Sequence, residues 1–197
     1  MNREELEAGL VELDDTLLKA FPGPEPIECM LVGGACLIFE GITDRATEDI
    51  DVVIFNLMNS EESTLIFATP LVNKIRRIVK QIGRKRFGLK GEHALWWNDD
   101  CAPFLLELGR NELPPVRLFR RYSKLHLYVP ADLRYILALK LMAGRPAKDH
   151  DDIHRLCQLF GIRTGAQARE IVDQYFPSLR DQHDHGLPGT LRDLFEK

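Results

Sequence analysis

Two short stretches constrain this chain more than anything else in it. Leu31-Val32-Gly33-Gly34 ends an apolar run in paired glycines, and Thr47-Glu48-Asp49-Ile50-Asp51-Val52-Val53 opens a second run with aspartates at alternate positions. Side chains two apart on a strand point to the same side. Asp49 and Asp51 are therefore expected to hold two carboxylates side by side on a stiff Val/Ile strand. Such a pair suits Mg²⁺, a hard cation bound through a few carboxylates together with substrate phosphates. Paired glycines suit a tight turn where backbone N–H groups approach a phosphate at a helix start. Together they point to the handling of a nucleoside triphosphate. The neighbours Ile50, Val52, Val53 and Ile54 mark an interior strand, where two adjacent acids repel each other and a metal is the simplest reason for them.

Periodicity supplies the surrounding elements. Leu6, Leu10, Leu13 and Leu17 predict a helix from Glu4 to Lys19, stopped by Phe21-Pro22-Gly23-Pro24. A strand is expected over Ile27–Val32, a helix over Ala35–Glu40 ended by Gly41, and a second strand over Asp49–Phe55. Thr69 as N-cap, Pro70 at the first helical position and Gly83 past the end frame a helix with an apolar stripe of Leu71, Ile75, Ile78, Val79 and Ile82. Arg84 to Lys90 then reads as a basic loop, and His93 to Trp97 as a strand. Cys101 to Pro115 fits no single period. Val116–Arg121 and Lys124–Val129 read as a hairpin about Tyr122-Ser123, a turn without the preferred glycine or asparagine.

From Pro130 the period changes. Helices are expected over Asp132–Ala143 and Ala147–Phe160, the second closed by Gly161. The box Thr164-Gly165-Ala166-Gln167 starts a third, ending near Phe176-Pro177. Arg180 to Gly189 reads as a loose polar stretch, and Thr190 as the cap of a last short helix. The organisation expected is an α/β domain over 1–130 with its N-terminal helix, then a helical domain over 131–197 that completes a cleft.

Net charge of −4 gives no bulk argument for nucleic acid, but its distribution does. Ser63 to Gly91 contains no acid and eight bases, Lys74, Arg76, Arg77, Lys80, Arg84, Lys85, Arg86 and Lys90, which leaves −12 on the remainder. A solvated helix face and an RNA-binding patch through Lys74, Arg77, Lys80, Arg84, Lys85 and Arg86 are both open readings. Trp96 and Trp97 nearby read either as base-stacking rings or as core. Cysteines 29, 36, 101 and 157 show no metal-ligand rhythm and fit free thiols in a reducing compartment. The acidic amphipathic start does not resemble a signal peptide, and no apolar run approaches the roughly 20 residues that span a bilayer. The expectation is a soluble cytoplasmic protein with no membrane partner.

Gly33-Gly34 followed by Asp49-x-Asp51 resembles the nucleotidyltransferase superfamily with the polymerase β-like palm. Leu139-Lys140-Leu141-Met142-Ala143 and Arg145, then Lys148-Asp149 and Asp152-Ile153 with Leu156, looks like the C-terminal motif of AbiEii and MenT-type nucleotidyltransferases. That group includes toxins of bacterial toxin–antitoxin systems. The resemblance implies a mixed-sheet nucleotidyltransferase α/β fold followed by a C-terminal helical bundle. It implies Mg²⁺-dependent transfer of a nucleoside monophosphate from a triphosphate such as ATP to a hydroxyl of RNA, tRNA or protein, with an antitoxin protein as a further partner.

The implied roles attach to particular residues. Gly33 and Gly34 would cradle the triphosphate, and Asp49 and Asp51 would hold Mg²⁺. Arg45 and Thr47 would touch phosphate or sugar. Lys140 would neutralise phosphate charge, and Arg145, Lys148, Asp149 and Asp152 would complete the cleft. Two departures stand out. The interval from Gly34 to Asp49 is longer than usual for the superfamily. A third carboxylate, the usual base for the incoming hydroxyl, has no obvious place. The strand Lys124–Val129 offers Lys124, His126 and Tyr128 on one face and no acid, which leaves Glu107 and Asp99 as substitutes.

Plainer readings compete. Lys140 among leucines is also the pattern of a lysine snorkelling from an apolar face. Asp149, Asp151 and Asp152 also suit the first turn of a helix, stabilising its dipole by about 0.3–1 kcal/mol each. His150 and His154 have the spacing of a zinc pair but no third ligand in register. His183 and His185 read as solvated. The rival functions are a non-catalytic nucleic-acid- or protein-binding module on a degenerate transferase fold, and a small-molecule adenylyltransferase.

Overall fold

In the computed structural model, residues 1–57, 63–91, 96–108 and 113–196 are described. Helix α1 (Arg3–Ala20) starts in a capping box: Asn2 Oδ1 accepts from the Glu5 N–H, and Glu5 Oε2 accepts from the Asn2 N–H, both at 2.9 Å. Leu6, Leu10, Leu13 and Leu17 form its buried stripe. Strand β1 (Ile27–Leu31), helix α2 (Gly33–Phe39) and strand β2 (Ile50–Leu57) follow. Then come β3 (Ser63–Leu65), α3 (Pro70–Arg86), β4 (Trp97–Asn98), α4 (Cys101–Glu107) and the hairpin β5 (Val116–Arg121) and β6 (Leu125–Pro130). Five helices close the described chain: α5 (Arg134–Met142), α6 (Pro146–Phe160), α7 (Gly165–Tyr175), α8 (Leu179–Asp184) and α9 (Leu187–Phe195).

The protein is thus an α/β fold with a mixed sheet and C-terminal helices. The strand order is β3-β2-β1-β6-β5, with β1 antiparallel to β2 and parallel to β6. The far edge of β2 is shared: β3 pairs with its second half, and β4 runs parallel to its first two residues. Cys29 to Val32 and Val52 to Phe55 are buried, so β1 and β2 form the centre of the core. On the sheet's outer side β5 is an edge strand, bulged between Leu118 and Arg120.

The β5–β6 turn explains how a turn sequence without glycine or asparagine is held. The Asp14 carboxylate, on α1, accepts the backbone N–H groups of Ser123, Lys124 and Leu125 at 3.0, 2.7 and 2.7 Å. No residue of this turn has a left-handed backbone, so it does not call for glycine or asparagine; a buried carboxylate from a distant helix holds its amides instead.

Several boundaries differ from the sequence reading. Gly33 and Gly34 are the first residues of α2, and Asp49 lies one residue ahead of β2. Helix α3 runs through Gly83 to Arg86, so Arg84, Lys85 and Arg86 form its last turn and not a loop. Cations there complement the helix dipole, which favours three more residues of helix. Trp96 and Trp97 are 0% and 2% exposed, and Trp96 Nε1 donates to the Val79 carbonyl at 3.0 Å, so neither ring is open to stack a base. The strand expected over His93 to Trp97 is seen as Trp97–Asn98, and residues 93–95 lie outside those described.

Arg180 to Gly189 is not loose. It is occupied by α8 and the start of α9, joined at Gly186 in the left-handed region (φ 71°). Buried Gln182 organises it, donating to Asp173 at 2.6 Å and to the Phe176 carbonyl at 2.9 Å. Thr190 sits inside α9, with its hydroxyl directed to the Gly186 carbonyl. No described helix is long and apolar enough to cross a membrane.

Candidate functional site

A cavity of about 610 Å³ opens where β1 ends, β2 begins and α5 and α6 meet. Every residue singled out from the sequence as catalytic or nucleotide-contacting lines it except Asp152: Gly33, Gly34, Arg45, Thr47, Asp49, Asp51, Lys140, Arg145, Lys148 and Asp149. Asp152 lies directly behind it, 2.9 Å from the Lys140 ammonium and gripping Arg45.

Asp51 is positioned by β2 and by the glycine it faces. Gly33 has φ 64°, and a Cβ built there would lie 2.2 Å from Asp51 Oδ2. Two independent demands, left-handed backbone and close approach, thus meet at one glycine. Gly34 is tight only against a guanidinium nitrogen of Arg45, at 2.7 Å, the far end of a flexible side chain. Gly33→Ala should therefore destabilise the fold by about 2–4 kcal/mol, from left-handed strain plus displacement of Asp51. Gly34→Ala should lose less, about 1–2 kcal/mol, since its backbone is not left-handed and the cost is a shift of Arg45 Nη2 on Asp152. Urea denaturation of the two variants checks this; equal losses would contradict the asymmetry.

The carboxylates of Asp49 and Asp51 share one environment. Asn98, paired across from Asp51 on β4, donates its amide to Asp51 Oδ1 at 3.2 Å and also hydrogen-bonds Asp49. Burial pushes the Asp51 carboxyl up to about 6, and the negative charge of Asp49 adds to the rise. Burial also raises Asp49, against the opposing charge of Lys148. Two carboxylates held together at a proton-retaining bias are a place where a cation gains more than it would in water. Thr47 lies at the rim, and its hydroxyl donates to the Asp49 carbonyl at 3.0 Å, fixing the bend ahead of β2.

The opposite wall is an ion cluster. Buried Lys140, on α5, reaches Asp149 Oδ1 at 2.7 Å and Asp152 Oδ2 at 2.9 Å, both from the start of α6. It does not snorkel to solvent. Arg45 binds both oxygens of Asp152, at 2.9 and 2.5 Å, which ties the segment before β2 to α6. Burial alone would raise the Asp152 carboxyl; the hydrogen bonds from Arg45 and the charge of Lys140 outweigh it and hold it below the ordinary range. Arg145 Nε stands 3.2 Å from Asp149 Oδ2 but out of hydrogen-bonding geometry, leaving that buried oxygen without a hydrogen-bond partner. Asp151 is 87% exposed at its side chain and stands outside the cluster.

The substitutes for a third carboxylate are not in the cavity. Asp99 is buried against Arg76, with Nε 2.8 and 3.1 Å from its two oxygens, and Glu107 ends α4 in solvent. Among the described residues no group of three or more His, Cys, Asp or Glu side chains is placed to hold a metal. Asp49 and Asp51 would need phosphate oxygens to complete a Mg²⁺ shell, which is the usual arrangement for that ion.

Other lining residues had no site role in the sequence reading: Asn98, Asp100, Cys101, Phe104 and Ile136, with Leu139 and Ala143 present only as apolar members of the C-terminal motif, and His185, expected to be solvated, half-buried here. They reach the cavity through tertiary placement of β4, α4, α5 and the end of α8. The basic residues of α3 lie elsewhere. Lys74 donates to the Ala20 carbonyl at 2.7 Å, and Lys85 and Arg86 pair with Glu12 of α1 at 3.3 and 3.2 Å. Arg77 and Arg84 are exposed, with Lys80 half-buried on the same helix.

Comparison with protein-family models, with curated proteins and with solved structures found no match to this chain.

Proposed function

We propose that this protein is a Mg²⁺-dependent nucleotidyltransferase, moving a nucleoside monophosphate from a triphosphate to a hydroxyl on RNA, tRNA or protein, as a toxin of the toxin–antitoxin kind does. One observation carries the reading: two desolvated carboxylates, Asp49 and Asp51, face a glycine bend inside a cavity whose opposite wall is cationic. Asp49 and Asp51 are the residues that would hold the metal. Bound there, Mg²⁺ would neutralise phosphate charge and favour attack by the acceptor oxygen. The bare Cα atoms of Gly33 and Gly34 let the bend close on Asp51 and Arg45, which would bring the polyphosphate, its metal and a cation to one place. Arg145 and Lys148 offer their charges at the rim, and Lys140 stiffens the wall behind them. Catalysis of this kind is mainly positioning and electrostatics, so a fixed ion cluster serves it well.

The test is incubation with each labelled triphosphate, Mg²⁺ and total cellular RNA or protein, beside Asp51→Ala. Label should enter one acceptor fraction and fall at least about 100-fold in the variant. Equal labelling with the variant would defeat the assignment. An RNA acceptor is probed with Arg77→Glu, Lys80→Glu and Arg84→Glu combined, because Lys85 and Arg86 already pair with Glu12. RNA affinity should drop, and its salt dependence should flatten by about one unit for each phosphate no longer neutralised. Salt-sensitive RNA binding without any labelling would favour a binding module on a degenerate fold.

A further inference from the structure

Part of the cavity remains unused by the polyphosphate chemistry. Its apolar wall is built from Cys101 and Phe104 on α4, from Ile136, Leu139 and Ala143 on α5, and from His185 at the end of α8. Phe104 lies one turn beyond Cys101 and so shares its helix face. The rings of Phe104 and His185 meet edge to face, with centroids 5.1 Å apart and planes at 81°. Both are half-buried. Gly144 makes the closure feasible: at φ 62°, a Cβ there would lie 3.0 Å from the His185 carbonyl oxygen. The wall adjoins the carboxylates, since the charge of Asp51 acts on the Cys101 thiol, which burial already pushes up to about 12. That thiol is neutral at physiological pH.

We infer that the Phe104–His185 pair is the subsite for the nucleobase of the triphosphate, with the base lying against the Phe104 ring. The inference rests on the triphosphate reading of the same cavity. A nucleotide is a flat aromatic ring tethered to a polyanion. This cavity has one cationic, carboxylate-bearing end and one apolar, aromatic wall within a single space of about 610 Å³. Pockets that enclose small ligands span about 300–1,000 Å³ and have this mixture of apolar lining and few polar groups. Stacking on an aromatic side chain strengthens binding of a base about five- to a hundredfold.

Isothermal titration with Mg²⁺ plus ATP, and separately with Mg²⁺ plus inorganic tripolyphosphate, tests it on the full chain. ATP should bind wild type at least about fivefold tighter than tripolyphosphate. Phe104→Leu, which keeps most of the volume and removes the ring, should erase that advantage and leave tripolyphosphate binding unchanged. Phe104→Trp should retain it. Should Phe104→Leu not fold, His185→Leu reads the same way from the other element. ATP no tighter than tripolyphosphate in wild type, or equal weakening of both by Phe104→Leu, overturns the subsite while the triphosphate reading stands. Absence of binding by both ligands to wild type removes the triphosphate reading and the subsite with it.

Discussion

Asp51→Asn is expected to stabilise the fold at pH 7.5 by about 2 kcal/mol while abolishing nucleotidyl transfer. The Asp51 carboxyl sits at about 6 in the fold against an ordinary 3.8, first because it is buried and second because Asp49 is beside it. The folded state therefore holds this proton more tightly than the unfolded chain does. Its contribution to stability is fully present below about pH 4 and is lost as the pH rises through about 6. Asparagine carries no charge to desolvate, so the variant escapes that loss. Its advantage should be near zero at pH 4 and fully developed by pH 7.5. Urea denaturation at four pH values between these limits reads the difference. A gain that is the same at pH 4 and pH 7.5 would mean that desolvation of this carboxylate is not its source. Mg²⁺ with ATP should raise the melting temperature of wild type and not of the variant, because ligand that binds only the folded state stabilises it.

Lys140→Met should act in the opposite direction and more strongly, destabilising the fold by about 3–5 kcal/mol. The ammonium is buried between Asp149 and Asp152, which are themselves 3% and 1% exposed. Methionine fills the stem's volume and leaves two buried carboxylates with only Arg145 and Arg45 to answer them. Asp149→Asn in the same chain should recover at least about 1 kcal/mol of the loss, the non-additivity expected of residues in one network. A Lys140→Met variant that loses less than that amount would show the cluster to be dispensable. Asp152 gives a second check by pH. Its carboxyl lies below the ordinary range in the fold, so its contribution is present at neutral pH and lost only as the medium falls below that range. Asp51 and Asp152 therefore tilt stability in opposite directions across the acid limb.

The sequence made some of this legible, for reasons that differ by residue. Gly33-Gly34 and Asp49-x-Asp51 could be read because they punctuate apolar runs, and the structure places all four on one cavity. Lys140, Asp149 and Asp152 lie within a single helical hairpin, so spacing alone brings them near one another. Phe104, Asn98 and His185 could not be found that way. Each arrives on a short element whose position is set by packing from elsewhere: β4 against the edge of β2, α4 after it, and α8 through Gln182. The same limit explains Arg180 to Gly189, whose polar composition hides one buried glutamine that anchors a helix. Gly83 misled in the other direction, because a glycine inside a helix looks locally like its end.

The Asp14 carboxylate that secures the β5–β6 turn has a consequence for how the chain is made. It waits for amides 109 to 111 residues downstream. Strand β1 waits nearly as long for its parallel neighbour β6, and until then has β2 alone. During synthesis the middle of the sheet is therefore a half-finished ribbon with one bare margin. Closure over such a span is a slow, late event, and the interval before it is when this protein most needs shelter from pairing with strangers.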